Sequence, residues 1–280
     1  MILENITIII VTYASDKKII SCLDSIDKSV KVIIIENSQN LKLKESLEAR
    51  YSNLDCLIPE ENLGYSKANN LGLNRVKTKY ALILNPDTLL KKNTLNNFLQ
   101  TAKKYPDFYL IGPINDQGKN FKKNIDNKIF EVKNLKGFAI FFNMEKFKDK
   151  EFFDDNYFLY FEEMDLCRTI KLKHNGKIFI DPNIKIIHEG ASSVADNYIE
   201  EIEKNRNWHW MWSTFYYHKK FNNFFYALIL ISPNLFTSIF RVVFYFMINN
   251  KKKKIIYYQR LSGIINSILG KNSWHRPSLD

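Results

Sequence analysis

The sequence predicts an α/β protein built on a mostly parallel, doubly wound sheet. Two observations lead there. Short apolar runs alternate with segments of helical periodicity through the first third of the 280 residues, the rhythm of repeated strand, helix, strand units. The runs end abruptly in polar pairs, Thr12 with Tyr13, Glu36 with Asn37, and Asn85 with Asp87. In such a sheet the carboxyl ends of neighbouring strands open on one crevice, where ligands bind. A third observation, a shift to aromatic and basic residues after Lys204, predicts helices appended to the sheet.

Residues 6–13 read as a β-branched strand, and Ser15 or Asp16 caps a helix that places Ile19, Ile20, Leu23 and Ile26 on one face. A second buried strand over 32–35 is closed by Glu36, Asn37 and Ser38, followed by a helix over 41–51 and a strand over 54–58. Glu36 can accept the imide N–H of a uracil or thymine ring with Tyr13 packed on its face, or it is a solvated turn residue. Asn62-Leu63-Gly64-Tyr65-Ser66 leads into a helix through Ala68, Leu71 and Val76. Gly64 permits positive φ or a close backbone approach, and Lys67 stands in the first turn, where a phosphate can lie.

Residues 80–84 are continuously apolar, as in a strand buried on both faces. Pro86 then removes a backbone donor and ends the pairing. That puts Asp87 at the carboxyl edge of a central strand, either holding a divalent cation against a diphosphate or turning the chain into the next helix together with Thr88.

A helix over 93–104, a strand over 109–112, an unassigned polar loop over 116–127 and a strand over 135–143 follow. The bulky run from Phe158 to Phe161 delivers Glu162 and Glu163 to a helix start. Two acids there complement the helix dipole; acids behind aromatics are also partly desolvated, which raises a carboxyl pKa toward the range of a general base. Asn175-Gly176 stops this helix, and strands over 177–180 and 184–187 precede His188. His188 is either a hydrogen-bonded loop residue or a further ligand for a cation at Asp87, since imidazole suits Mn²⁺.

The 41 Lys and Arg against 30 Asp and Glu give a net charge of +11, which favours anionic partners. Nucleic acid is not the expected one, because no Lys and Arg stripe with aromatics and no binding module is present. Cys22, Cys56 and Cys167 lack zinc spacing and suit a reducing compartment. No cleavable signal opens the sequence, so the catalytic part is expected to face the cytosol.

In order, Val11-Thr12-Tyr13, Ile35-Glu36-Asn37-Ser38, Asn62-Leu63-Gly64-Tyr65 with Asn69-Asn70, Leu84-Asn85-Pro86-Asp87, the stretch from Phe158 to Cys167, and His188-Glu189-Gly190-Ala191-Ser192 resemble the nucleotide-sugar glycosyltransferases of family 2. Within that family they resemble the bacterial rhamnosyltransferase-like branch, over about residues 5–220. The resemblance implies a GT-A fold, a Rossmann-like, mostly parallel sheet with a mixed acceptor-side extension. It implies that Asp87 and His188 hold Mn²⁺ or Mg²⁺, that Glu163 is the catalytic base, and that Glu36 reads the nucleotide base. Thr12 and Tyr13 match the first nucleotide contacts, with Asn62, Gly64, Lys67 and Asn85 along the rest of the nucleotide path.

Three positions depart from the family pattern. Asn85 replaces the first acid of Asp-x-Asp, and Glu36 and Glu163 each stand where aspartate is usual, extending the reach by roughly 1 Å. The implied reaction is inverting transfer of a sugar, rhamnose among the options, from a dTDP- or UDP-linked donor. The acceptor would be a hydroxyl of a cell-surface polysaccharide or a polyprenyl-diphosphate-linked glycan. The departures leave one competing reading, a catalytically impaired, membrane-associated scaffold with the same fold.

The tail brings Trp208, Trp212 and Phe215 onto one helix face beside further aromatics and lysines, the composition of a membrane interface. Residues 224–248 are apolar and long enough to cross a bilayer, but Pro233-Asn234 interrupts them and Arg241 lies inside. Two interfacial helices, 224–231 and 235–248, are expected, with Lys251 to Lys254 on anionic headgroups. The expected organisation is a transferase domain over 1–220 and a membrane-associated segment over 221–280. The expected location is the cytoplasmic face of the inner membrane, peripheral rather than spanning.

Overall fold

The structure, a computed structural model, describes residues 3–114, 128–188 and 198–277. The loop expected over 116–127 and the residues from Glu189 to Ser193 lie outside these. Two compact units emerge: Met1–Leu63, Lys67–Asp154 and Glu163–Ala195 form the first, and Gly64–Ser66, Asp155–Glu162 and Asp196–Asp280 the second.

The first unit runs β1 (Ile6–Thr12), α1 (Asp16–Asp24), β2 (Lys31–Glu36), α2 (Leu41–Arg50), β3 (Leu54–Leu57), α3 (Gly64–Leu73), β4 (Tyr80–Leu84), β5 (Thr88–Leu90), α4 (Thr94–Lys104), β6 (Phe108–Pro113), β7 (Phe130–Glu131), β8 (Ala139–Asn143), α5 (Glu162–His174), β9 (Lys177–Asp181) and β10 (Ile186–His188). The first residues of α3 and α5 belong to the second unit. Eight strands form one sheet in the order β3-β2-β1-β4-β8-β6-β9-β7. Pairing is parallel from β3 through β4 and between β6 and β9; β8 and β7 run antiparallel to their neighbours. The predicted mostly parallel sheet with a mixed extension is therefore present.

The strands read as continuous apolar runs because helices cover both faces. Ile8, Ile10, Val32, Ile34, Leu82 and Leu84 point to one side, where they meet residues of α1, α2 and α4. Ile33 and Ile35 point to the other side, where they meet Ala68 of α3. The alternation follows the period of two along a strand. Phe98 of α4 stacks on Phe141 of β8 at 4.8 Å between centroids, and burying each such ring is worth about 1.5–3 kcal/mol.

Three local expectations change. The strand expected from residue 135 begins at Ala139. Ser15 stands at the N-cap of α1 but makes no side-chain cap bond; its hydroxyl donates to the Tyr13 carbonyl at 3.0 Å, while Asp16 accepts from the Asn40 side chain at 2.9 Å. The turn at Asp87 leads first into β5 rather than directly into a helix, because Thr88–Leu90 pairs with Ile186–His188 as a separate two-stranded ladder.

The second unit consists mainly of α6 (Ile199–Phe221), α7 (Phe224–Met247) and α8 (Lys251–Ile268). α6, which a boundary at residue 220 assigns to the first part, packs with the other two through Met211, Phe215, Ala227, Ile231 and Ile264. The two helices expected on either side of Pro233 are one continuous helix of 24 residues. Proline deprives the carbonyl four residues earlier of its donor. That carbonyl belongs to Ile229, and the Ser232 hydroxyl donates to it at 2.8 Å, replacing the missing bond.

Candidate active site

The chain leaves β4 through Asn85-Pro86-Asp87-Thr88, a tight turn closed by the Thr88 N–H on the Asn85 carbonyl at 3.2 Å. Pro86 occupies the position of such a turn that favours a fixed φ. The Thr88 hydroxyl donates to the same carbonyl at 2.7 Å. The Asn85 N–H is held by the Phe138 carbonyl at 2.9 Å. With its backbone tied at both ends, the turn presents Asp87 in a fixed direction.

The β5/β10 ladder puts Thr88 opposite His188, so two residues a hundred positions apart become neighbours. The His188 ring lies on the Phe138 ring, centroids 4.6 Å apart and planes inclined by 6°. Its Nε2 stands 3.4 Å from Asp87 Oδ1, and the Asp87 side chain is only 3% exposed. That oxygen is buried and accepts no hydrogen bond among the described residues. An orphaned carboxylate oxygen beside an imidazole nitrogen is costly unless something positive fills the gap, and this donor set fits Mn²⁺ or Mg²⁺. No cluster of three acidic, histidine or cysteine side chains suited to a metal occurs among the described residues. A cation here would take its remaining ligands from diphosphate and water.

A second corner forms where β1 and β2 end. Thr12 pairs in register with Glu36, and the Thr12 carbonyl accepts the Asn37 N–H at 2.9 Å. The Ala14 N–H donates to the Ser38 hydroxyl at 3.2 Å. Glu36 is not a solvated turn residue: it is fully buried. One of its oxygens accepts from the Ser38 N–H at 3.1 Å and from the Ser38 hydroxyl; the other accepts from the Asn40 N–H at 2.7 Å. Glu36 thus shapes the loop that follows β2. The Asn37 side-chain oxygen accepts the Leu63 N–H at 3.3 Å, which draws Asn62 to the same corner. Lys67 is exposed on α3.

Gly64 has φ +72°, and a Cβ there would collide with the Phe158 carbonyl oxygen and ring. The Tyr65 N–H donates to that carbonyl at 2.7 Å. The close backbone approach anticipated for Gly64 is made to the chain's own Phe158.

Glu163 lies in the first turn of α5. Burial raises its pKa above the ordinary carboxylate value, opposed by its own N–H, the Lys136 ammonium and the Met164 N–H. Both readings of this residue hold at once: it complements the helix start and is desolvated. A short stretch links it to the carboxylate and imidazole. Leu135 hydrogen-bonds Cys167 through its backbone, Lys136 acts on Glu163, and Phe138 carries His188. Residues 135–138 span at most about 10 Å. From sequence, Ser38 and Thr88 were read only as residues that close a strand or turn the chain, and Phe138 only as part of the strand over 135–143.

Sheet order and helix placement define the class: the fold is that of the GT-A glycosyltransferases. The mannosyltransferase PcManGT of Pyrobaculum calidifontis, solved with GDP-Man and Mn²⁺, superposes with a TM-score of 0.60 at 13% identity, covering 96% of this chain and 88% of that one. The chain belongs to glycosyltransferase family 2, whose pattern (Glycosyl transferase family 2) matches residues 7–168. Among its relatives, the low-salt glycan biosynthesis hexosyltransferase Agl10 of Haloferax volcanii is 22% identical over 190 residues, covering 59% of this chain and 61% of that protein. Rhamnosyltransferase WbbL of Escherichia coli is 26% identical over 207 residues, covering 59% of this chain and 76% of that protein.

Proposed function

We propose that the protein transfers a hexose, rhamnose among the candidates, with inversion from a dTDP- or UDP-linked donor to a hydroxyl of a cell-surface polysaccharide or of a polyprenyl-diphosphate-linked glycan. The observation that carries this reading is the buried Asp87 oxygen 3.4 Å from His188 Nε2 at the end of a central strand. The names of the relatives, a rhamnosyltransferase and a glycan hexosyltransferase, support the substrate class.

In this reading Thr12, Tyr13, Glu36 and Asn62 hold the nucleoside, and Asn85 and Lys67 border the diphosphate. Asp87 and His188 hold a divalent cation, which when bound neutralises charge on the departing diphosphate. Glu163 accepts the proton of the acceptor hydroxyl as its oxygen bonds to the anomeric carbon, and the carbon–oxygen bond to the diphosphate breaks with its electron pair leaving on the nucleotide. A raised pKa suits Glu163 to this step, since a base close to the working pH both takes and surrenders a proton readily.

The test is a donor screen by nucleotide release with Mn²⁺ or Mg²⁺, with Asp87→Ala and Glu163→Gln alongside. Release that is lost in both variants supports the assignment. Release indifferent to both removes it, and no release with any donor and acceptor favours the scaffold.

A further inference from the structure

All of the chain's net charge resides in its last segment. From Lys204 to Leu279 there are 12 Lys and Arg and no Asp or Glu, whereas residues 1–203 carry 29 of each sign. A stretch this one-sided is repelled by itself and gains from a negative surface. Four of the cations, Lys251 to Lys254, stand at the start of α8, where the helix dipole is also positive. Lys252 pairs with Glu203 at 3.9 Å. Lys253 and Lys254 lie 5.5 Å over the rings of Tyr245 and Phe246 at the end of α7.

The helix that precedes them is apolar on every side yet little covered. α7 buries one narrow stripe, Ala227, Ile231, Ser238 and Tyr245. Phe225 is 74% exposed, Ile229 71% and Phe240 68%. A patch of this extent on one helix marks a surface that water does not normally face. Apolar rings edged by lysines suit an anionic phospholipid bilayer, which takes the rings among acyl chains and the ammonium groups at phosphate level.

At 24 residues α7 is long and apolar enough to cross a membrane, at about 1.5 Å per residue. Its packing argues for a different arrangement. At one end Ala227 and Ile231 meet Ile264 of α8 and Phe215 of α6. At the other Tyr245 stacks on Tyr257 of α8 at 5.7 Å, and the Arg241 guanidinium lies 5.2 Å over the same ring. Clamped at both ends to α8, α7 cannot cross the hydrocarbon without bringing Arg260 of α8 and its own Arg241 into it and carrying the four lysines at the connection through to the far side, an expensive transfer of charge.

We propose that the second unit docks in plane on an anionic bilayer: the exposed face of α7 enters the outer acyl region, Lys251 to Lys254 take lipid phosphates, and both ends of α7 stay on one side. This inference is independent of the sugar-transfer reading.

The test uses the full chain with sealed vesicles of phosphatidylcholine alone or mixed with phosphatidylglycerol. Flotation with the mixed vesicles and not the neutral ones is expected. Changing Lys251 to Lys254 to glutamine should lower partitioning on the order of a thousandfold, from about 1 kcal/mol per lysine, with only a small change in melting temperature, since the Glu203 pair and the ring contacts lie at the surface. Cys22, Cys56 and Cys167 are all buried, so Asn222→Cys and Lys251→Cys supply reactive thiols at the two ends of α7. An impermeant maleimide added outside should label both. Protection of either site until detergent is added would establish a span and overturn the in-plane arrangement. Equal binding to neutral vesicles, no binding at all, or a lipid-independent dimer that covers α7 would overturn the bilayer as occupant.

Discussion

The His188 ring lies flat on Phe138, 4.6 Å between centroids, and Phe138 also fixes Asn85 through its carbonyl. One residue of the strand-to-strand connection thereby orients both sides of the carboxylate and imidazole pair. Phe138→Leu should weaken Mn²⁺ binding roughly 10-fold to 100-fold, read by direct titration of the ion, and should leave the nucleotide's own affinity in the absence of metal unchanged. Asp87→Ala should abolish the metal-binding signal. Titrations identical to wild type for both would remove Asp87 as a ligand.

Glu163→Gln should lower kcat by about 10²–10⁴ with little change in donor KM. Because burial raises the Glu163 pKa, the acid limb of the rate profile should fall above the usual carboxylate range, activity being lost as pH drops through the raised value. The same shift works against stability. Between the unfolded and folded pKa values the native state holds the extra proton, so stability declines as pH rises through that window. The glutamine variant should therefore melt higher than wild type at neutral pH and converge with it in acid. A lower melting temperature at neutral pH would contradict the desolvation.

Gly64→Ala confronts a φ of +72° and the Phe158 backbone at once. The expected loss is on the order of 2 kcal/mol or more, measured by denaturant unfolding. A variant as stable as wild type would show that this approach is not constraining.

His209 is fully buried, stacks on Phe158 at 4.5 Å, and bonds the His275 carbonyl through Nε2 at 2.8 Å. Its Nδ1 has no hydrogen-bond partner among the described residues. Burial pushes its pKa down to about 3 from the ordinary 6.5 of a histidine. The unfolded chain binds the proton first, so the stability of the second unit should be full above pH 6.5 and decline as pH falls toward 3. His209→Phe should flatten that slope, followed by thermal melts across pH. An unchanged slope would place the acid sensitivity elsewhere.

The alternation of strands and helices was legible from residues 6 to 84 because each element is encoded within a few neighbouring side chains, and Pro86 marks a strand end on its own. The placing of Asp87 at such an end follows from the same local pattern. The burial of Glu36 was not legible, since a carboxylate after a strand reads equally as solvated turn or buried anchor. Only the Ser38 and Asn40 donors distinguish the two. Pro233 carried a true local signal, and its outcome was reversed by a neighbouring hydroxyl.

By itself, then, the order of residues determined a mostly parallel sheet, polar strand ends on one edge and an apolar, basic tail, because period and punctuation are properties of short stretches of chain. The meeting of Asp87 with His188, the pairing of β5 with β10 and the clamping of α7 along α8 were decided by tertiary structure. Each joins side chains or strands that sequence periodicity does not connect, and only sheet register and helix packing bring them within hydrogen-bonding or ring-stacking distance.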